Sequence, residues 1–186
     1  MALPESDVQS WAEAESLRKS PHGQWVRDPS GSVAAALAVL EAPELVLRLS
    51  AKRREQLVWN LPWMFTEIRS NRGFSDSQRV AFVRKSPAFL TTVFETLDDY
   101  SSALDMWWEV MLNGIRKDAM ATRNAVFESL SAQLGSGSDR CDASALHGFN
   151  HLRDRRCHTP INAWLRHCKD EELREYARRA MRFELL

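Results

Sequence analysis

The stretch from residue 145 to residue 181 holds most of the side chains that can bind a metal ion or transfer a proton. It contains four of the five histidines and two of the three cysteines. His147 and His151 are spaced one helical turn apart, and imidazole and thiolate groups are common protein ligands of zinc. A tetrahedral four-ligand site can therefore be composed from this stretch. Its candidate ligands are His147, His151, Cys157, His158, His167 and Cys168.

Other features of the sequence argue against a metal site. A His-Glu-x-x-His motif and a Cys-x-x-Cys pair are both absent, and Cys168 lies on the apolar stripe of its predicted helix. A histidine pair of this spacing more often hydrogen-bonds across a helix packing or lines a surface for a partner. We therefore expect no metal and no cofactor. The alternative is a metal-dependent enzyme built around His147, His151, Cys157 and His158.

Other enzyme chemistry has little support in the sequence. Cys157 and His158 are adjacent in the chain, which does not place a thiol beside a base in space. The sequence has no nucleophile elbow and no glycine-rich phosphate loop. We expect a protein without enzymatic activity.

The two histidines lie away from the main apolar face of their helix. At 100° per residue the apolar side chains of residues 145–152 cluster on one side, and His147 and His151 fall together near the opposite pole. They therefore face solvent, a neighbouring helix or a ligand on a second face.

Two charged groups elsewhere offer further contacts. Asp105 and Glu109 are four residues apart on one predicted helix, and paired carboxylates can do acid–base work or bind a basic partner. Arg155 and Arg156 belong to a basic cluster that can bind an anion. The ordinary alternative for both groups is a solvated helix rim.

A tryptophan pair marks a second face on another helix. Trp59 and Trp63 lie four residues apart, opposite the stripe of Leu57, Leu61 and neighbouring apolar residues. Such a pair is either a second core contact in a layered helical array or an exposed anchor for a partner.

Composition limits the kind of molecule and its partners. The chain has 186 residues, of which 44% are apolar, enough for one domain with a substantial core. The formal net charge is zero, which disfavours nucleic acid as a partner chosen by bulk charge. Three cysteines, no signal-peptide pattern and no long apolar run predict a protein of the cytoplasm that does not contact membranes.

Apolar periodicity predicts an all-α fold. About nine or ten short helices follow one another, many opening at serine, threonine or aspartate caps, and no run alternates as a strand does. Pro87 is expected to separate two of these helices. The pattern favours stacked antiparallel pairs, either a HEAT-like α-solenoid or an irregular helical bundle.

The predicted organisation is a single domain, 1–186. Residues 1–31 form an N-terminal arm and loop, and 32–134 form the central helical array. The Gly-Ser-Gly-Ser run at 135–138 is a flexible linker, and 139–186 form a C-terminal helical repeat.

The C-terminal motifs resemble a known kind of repeat. Ala-Leu-His-Gly-Phe-Asn-His-Leu at 145–152, then Pro160, Ile161, Trp164-Leu165 and the run at 172–177, look like the terminal repeat of small bacterial HEAT-like proteins. Some proteins of that kind act as immunity proteins against secreted toxins. The resemblance implies a helical face offered to a protein partner, with no cofactor.

These observations together predict a protein-binding module, with neutralisation of a bacterial toxin as the specific hypothesis. A scaffold or regulatory subunit is the remaining possibility. The oligomeric state and the identity of the partner stay open. The predicted partner-binding residues are Trp59, Trp63, Asp105, Glu109, His147, His151, Arg155 and Arg156.

Overall fold

A computed structural model describes residues 3–17, 29–70, 75–97, 102–113 and 120–185. These residues form ten α-helices and two 3-10 turns, without a strand, so the predicted all-α fold is confirmed. The α-helices are α1 (Glu5–Glu15), α2 (Pro29–Glu41), α3 (Pro43–Leu47), α4 (Ala51–Ser70), α5 (Asp76–Val93), α6 (Ala103–Leu112), α7 (Met120–Gln133), α8 (Asp139–Leu152), α9 (His158–Leu165) and α10 (Glu171–Arg182).

Side-chain caps start three of the longer helices. Ser75 and Gln78 form a reciprocal capping box at α5, and the side chain of Ser138 accepts a hydrogen bond from the backbone of α8. Asp170 caps α10, which carries glutamates in its first turn and arginines in its last, as the helix dipole favours.

The predicted helix break at Pro87 is wrong, because α5 runs through it to Val93. A proline inside a helix leaves the carbonyl four residues earlier without its usual donor. That carbonyl belongs to Val83, and the hydroxyl of Ser129 on α7 donates to it at 3.0 Å. A tertiary hydrogen bond thus replaces the missing helical one.

The helices stack in two rows. One row runs from α4 through α6 and α8 to α10, and the other runs from α2 through α5 to α7. The rows meet where α7 packs on α8. Helix α6 lies between α4 and α8, and its Trp107 and Trp108 are fully buried.

Gly148 sets how closely α8 approaches its neighbours. A Cβ atom at this position would lie 2.5 Å from Cδ2 of Leu130 and 3.0 Å from Cβ of Trp108. Only glycine therefore fits here without displacing α6 or α7. The close approach brings the second face of α8 onto α6.

The segment 135–138, predicted as a flexible linker, forms a turn with two hydrogen-bonded anchors. Gly135 and Gly137 both have positive φ angles, which glycine adopts without strain. The amide of Gly135 donates to Asp142 at 2.5 Å, and the hydroxyl of Ser138 donates to Glu95.

Asn150 fixes the end of the described chain against α8. Its amide group donates to the carbonyl of Leu185 at 3.1 Å and accepts from the Leu185 amide at 3.1 Å. The segment after α10 is therefore held to the same helix that carries His147 and His151. In the described part of the chain, no helix has the length and apolar character needed to cross a membrane.

Candidate functional site

Three potential metal ligands converge where α6 packs on α8. Nε2 of His147 lies 3.1 Å from Nε2 of His151 and 3.3 Å from Oε2 of Glu109. The distance from Nε2 of His151 to the same carboxylate oxygen is 3.8 Å. Among the described residues, this is the one group of three or more His, Cys, Asp and Glu side chains whose ligand atoms lie that close together. We call these three residues the triad.

Helix geometry explains how the triad forms. His147 and His151 are four residues apart, so their rings lie one above the other on α8, with centroids 4.7 Å apart. The close packing at Gly148 brings this face onto α6, which supplies Glu109. The site therefore depends on one helix for two ligands and on a tertiary contact for the third.

The triad is buried on one side and accessible on the other. The side chain of His147 is 6% exposed, whereas those of His151 and Glu109 are 29% and 41% exposed. A group bound between the three side chains would thus have protein behind it and an opening towards His151 and Glu109.

Tyr176 on α10 fixes the orientation of the buried histidine. Its hydroxyl oxygen lies 2.9 Å from Nδ1 of His147. If Nδ1 carries the proton and donates to this oxygen, Nε2 presents its lone pair to the triad. A metal-bound histidine almost always has a hydrogen-bond partner on its far nitrogen.

The electrostatic surroundings favour a neutral imidazole at His151. Burial lowers the pKa of this histidine, and His147 and Arg153 lower it further, whereas the carboxylate of Glu109 acts in the opposite direction. A neutral imidazole is the form that binds a metal ion.

The spacing of the triad matches shared coordination of one ion. Zinc–nitrogen and zinc–oxygen bonds of about 2.0–2.2 Å, at angles of about 90–110°, place neighbouring ligand atoms roughly 2.9–3.5 Å apart. Two of the three separations lie in this range. The third, 3.8 Å, needs a change of a few tenths of an ångström at the half-exposed Glu109.

A cavity of about 270 Å³ opens beside the exposed side of the triad. Glu109 and His151 contribute to its wall together with the side chain of Trp63 from α4. The remaining lining residues all come from α6 and its C-terminal cap. They are Met106, Val110, Leu112 and Asn113.

The other histidines and cysteines proposed as ligands lie elsewhere. Cys157 is buried in the core, and burial raises the pKa of its thiol to about 11. Nε2 of His158 contacts the carbonyl of Met181 at 3.1 Å, and His167 and Cys168 line a different cavity. The ligand set composed from the C-terminal stretch alone is therefore corrected, because only its two α8 histidines join the triad.

The predicted partner-binding residues do not form one surface. Trp63, Glu109, His147 and His151 gather at the triad and its cavity, whereas Arg156 lies elsewhere. Its guanidinium group binds Asp154 at 2.7 Å and stacks on the ring of Phe127 at 4.6 Å.

The remaining predicted residues differ in how far they are buried. Trp59 is half-buried against the core, as Trp63 is, and Arg155 is exposed. Asp105 belongs to α6, but its side chain lies outside the described residues.

Sequence reasoning missed two features of this site. Glu109 was predicted as one of a carboxylate pair for a basic partner or acid–base work, and Tyr176 was not predicted as a site residue, so neither was connected to the histidines. The signal available was the pair of histidines facing a second helix. Which helix that is depends on the packing of α8 between α6 and α10.

Comparison of the chain with protein-family models, with curated proteins and with solved structures finds no match in any of the three. The site is therefore interpreted from its own geometry.

Proposed function

We propose that this protein binds one divalent transition-metal ion through Glu109, His147 and His151. The observation that supports it is the convergence of two imidazole nitrogens and a carboxylate oxygen, all within 3.8 Å of one another, across α6 and α8. The contact of Tyr176 with the far side of His147 adds the outer support that such sites commonly have.

Hydrogen bonding alone satisfies this cluster poorly. Nε2 of His147 lies within 3.3 Å of both His151 and Glu109. If it carries a proton, one N–H is shared between two acceptors. If it does not, it can accept a hydrogen bond from Nε2–H of His151, but its lone pair then also lies beside the carboxylate of Glu109, which is unfavourable. A metal ion removes the conflict because it accepts electron pairs from all three atoms.

The ligand types narrow the choice of metal. Two histidines and one glutamate are the protein ligands of zinc in several hydrolases, and two histidines with one carboxylate hold non-haem iron(II) in oxygenases. Calcium and magnesium are disfavoured, because both prefer oxygen ligands. We therefore propose zinc or iron(II) as the bound ion.

The test is the metal content of the purified protein, measured by mass spectrometry before chelation and after reconstitution with zinc or, without oxygen, with iron(II). We expect one ion per chain after reconstitution, and a thermal unfolding midpoint that falls on chelation and recovers with the metal. His151→Ala should abolish the binding, whereas the matched variant His167→Ala should keep it. Substoichiometric binding in the wild type, or equal binding by the two variants, would contradict the proposal.

The binding of another protein, with a secreted toxin as the specific case, stays a second proposal. It is supported by three of the predicted residues, Trp63, Glu109 and His151, which line one cavity at the surface. The test is the affinity for a candidate toxin encoded beside this protein, compared between wild type and Trp63→Ala. A Trp63→Ala affinity equal to that of the wild type would exclude this surface.

A further inference from the structure

We infer that the bound ion takes a further ligand from solution, and that this ligand is the carboxylate group of a small molecule seated in the adjoining cavity. The inference rests on the proposed metal site. It adds to that proposal, because an ion whose coordination positions were all filled by protein side chains would bind no ligand from solution.

The number of protein ligands is the first argument. Structural zinc sites use four protein ligands, whereas sites that act on another molecule use three and leave a position for water or substrate. Glu109, His147 and His151 supply three ligand atoms. Among the described side chains, no fourth ligand atom of a His, Cys, Asp or Glu joins this group. An ion held by these three side chains alone has coordination positions for an outside ligand.

The position of the cavity is the second argument. The buried side of the triad is closed by His147 and its contact with Tyr176. The exposed side, formed by Glu109 and His151, belongs to the wall of the cavity of about 270 Å³. An outside ligand can therefore reach the ion from the cavity. This volume is slightly below the roughly 300–1,000 Å³ typical of sites for drug-sized molecules, so the ligand is small.

Charge selects the class of ligand. A divalent cation beside the single carboxylate of Glu109 leaves a local charge of about +1, and Arg153 adds positive potential at His151. Among the residues that the structure describes, no lysine or arginine lines the cavity to compete for an anion. The carboxylate would bind the ion, and the side chains of Trp63, Met106 and Leu112 would contact the apolar part of the molecule.

The experiment uses the full chain loaded with cobalt(II), whose visible absorption reports its ligands. Isobutyrate is titrated into the loaded protein, with isobutyramide as a neutral control of nearly the same shape. We expect isobutyrate to change the spectrum to saturation and isobutyramide to leave it unchanged. Asn113→Phe, which places a large ring at the cavity wall, should retain the cobalt spectrum and weaken isobutyrate binding at least tenfold.

The outcomes separate the two proposals. Bound cobalt with no spectral response to isobutyrate overturns this inference and leaves the metal site standing. An equal response to isobutyramide overturns the charge argument, and unchanged affinity in Asn113→Phe overturns the placement in the cavity. Failure of the wild-type chain to bind cobalt overturns the metal site and this inference together.

Discussion

Two sets of potential ligands lie close together in the C-terminal part of the chain, and only one of them converges. His147 and His151 are on consecutive turns of α8 and meet Glu109 of α6. His158 begins α9, and His167 follows the end of that short helix, and both are exposed. Spacing on one helix face, together with a neighbouring helix, brings ligand atoms together. Proximity along the chain does not.

The largest expected effect comes from removing a triad ligand. His151→Ala should lower zinc affinity by more than 100-fold, because it removes a ligand, whereas changing a residue that only hydrogen-bonds to a ligand typically costs about 10–100-fold. The double variant His158→Ala/His167→Ala removes two imidazoles from the other set and should nevertheless bind zinc as the wild type does. Competition with a chromophoric chelator measures all three affinities. A weaker zinc affinity in the double variant than in His151→Ala would show that His158 and His167, and not the triad, bind the ion.

The contact that joins α8 to α6 can be broken without touching a ligand. Gly148→Ala places a methyl group 2.5 Å from Leu130 and 3.0 Å from Trp108. We expect a loss of about 1–3 kcal/mol in the free energy of unfolding, from overpacking, together with weaker zinc binding. Urea unfolding with and without zinc measures both effects.

A double-mutant cycle provides the control for Gly148→Ala. Leu130→Ala makes room for the added methyl group, so Gly148→Ala should cost less in that background than in the wild type. Equal costs in the two backgrounds would show that the Leu130 contact does not set the distance between the helices.

Tyr176→Phe tests the outer support of the triad. The change removes the hydroxyl group 2.9 Å from Nδ1 of His147 and keeps the ring. We expect zinc affinity to fall about 10–100-fold while the chelated protein unfolds at nearly the wild-type temperature. An unchanged affinity, measured by the same competition, would remove Tyr176 from the site.

The smallest effect belongs to a cysteine outside the triad. Burial raises the pKa of Cys157 from 9.0 to about 11, so the folded protein retains this proton longer than the unfolded chain. The resulting stability is complete below pH 9 and is lost as pH rises towards 11, by about 1 kcal/mol at pH 10. Comparing urea unfolding of the wild type and Cys157→Ala at pH 8 and pH 10 isolates the contribution of the Cys157 thiol to stability.

Cys168→Ala is the matched control for the alkaline loss. Cys168 is only partly buried. The variant keeps the buried thiol of Cys157 and should therefore keep the loss of stability that this thiol causes between pH 8 and pH 10. A Cys157→Ala protein whose loss equals that of the wild type would assign the alkaline sensitivity to other groups.

The sequence predicted the helices better than their contacts. Periodicity and caps predicted the all-α fold and the second face of α8, because these follow from the residues of single helices. The continuity of α5 through Pro87 depends on Ser129, a hydroxyl from another helix. Local rules could not include that donor.

The candidate site shows the same limit. The i, i+4 spacing of His147 and His151 was readable, since it needs only the geometry of one helix. The contacts of His147 with Glu109 and Tyr176 could not be predicted, because they join three helices that are separate in the sequence. The glycine that permits the closest contact, Gly148, lies between the two histidines, and its role appears only when Trp108 and Leu130 are placed around it.

The most direct test of the account is a crystal structure of the zinc-loaded protein, with anomalous differences recorded at the zinc edge. We predict one strong peak, about 2.0–2.2 Å from Nε2 of His147, Nε2 of His151 and Oε2 of Glu109. A peak at His158, His167 or Cys168, or no peak in a protein saturated with zinc, would contradict the assignment of the triad as the metal site.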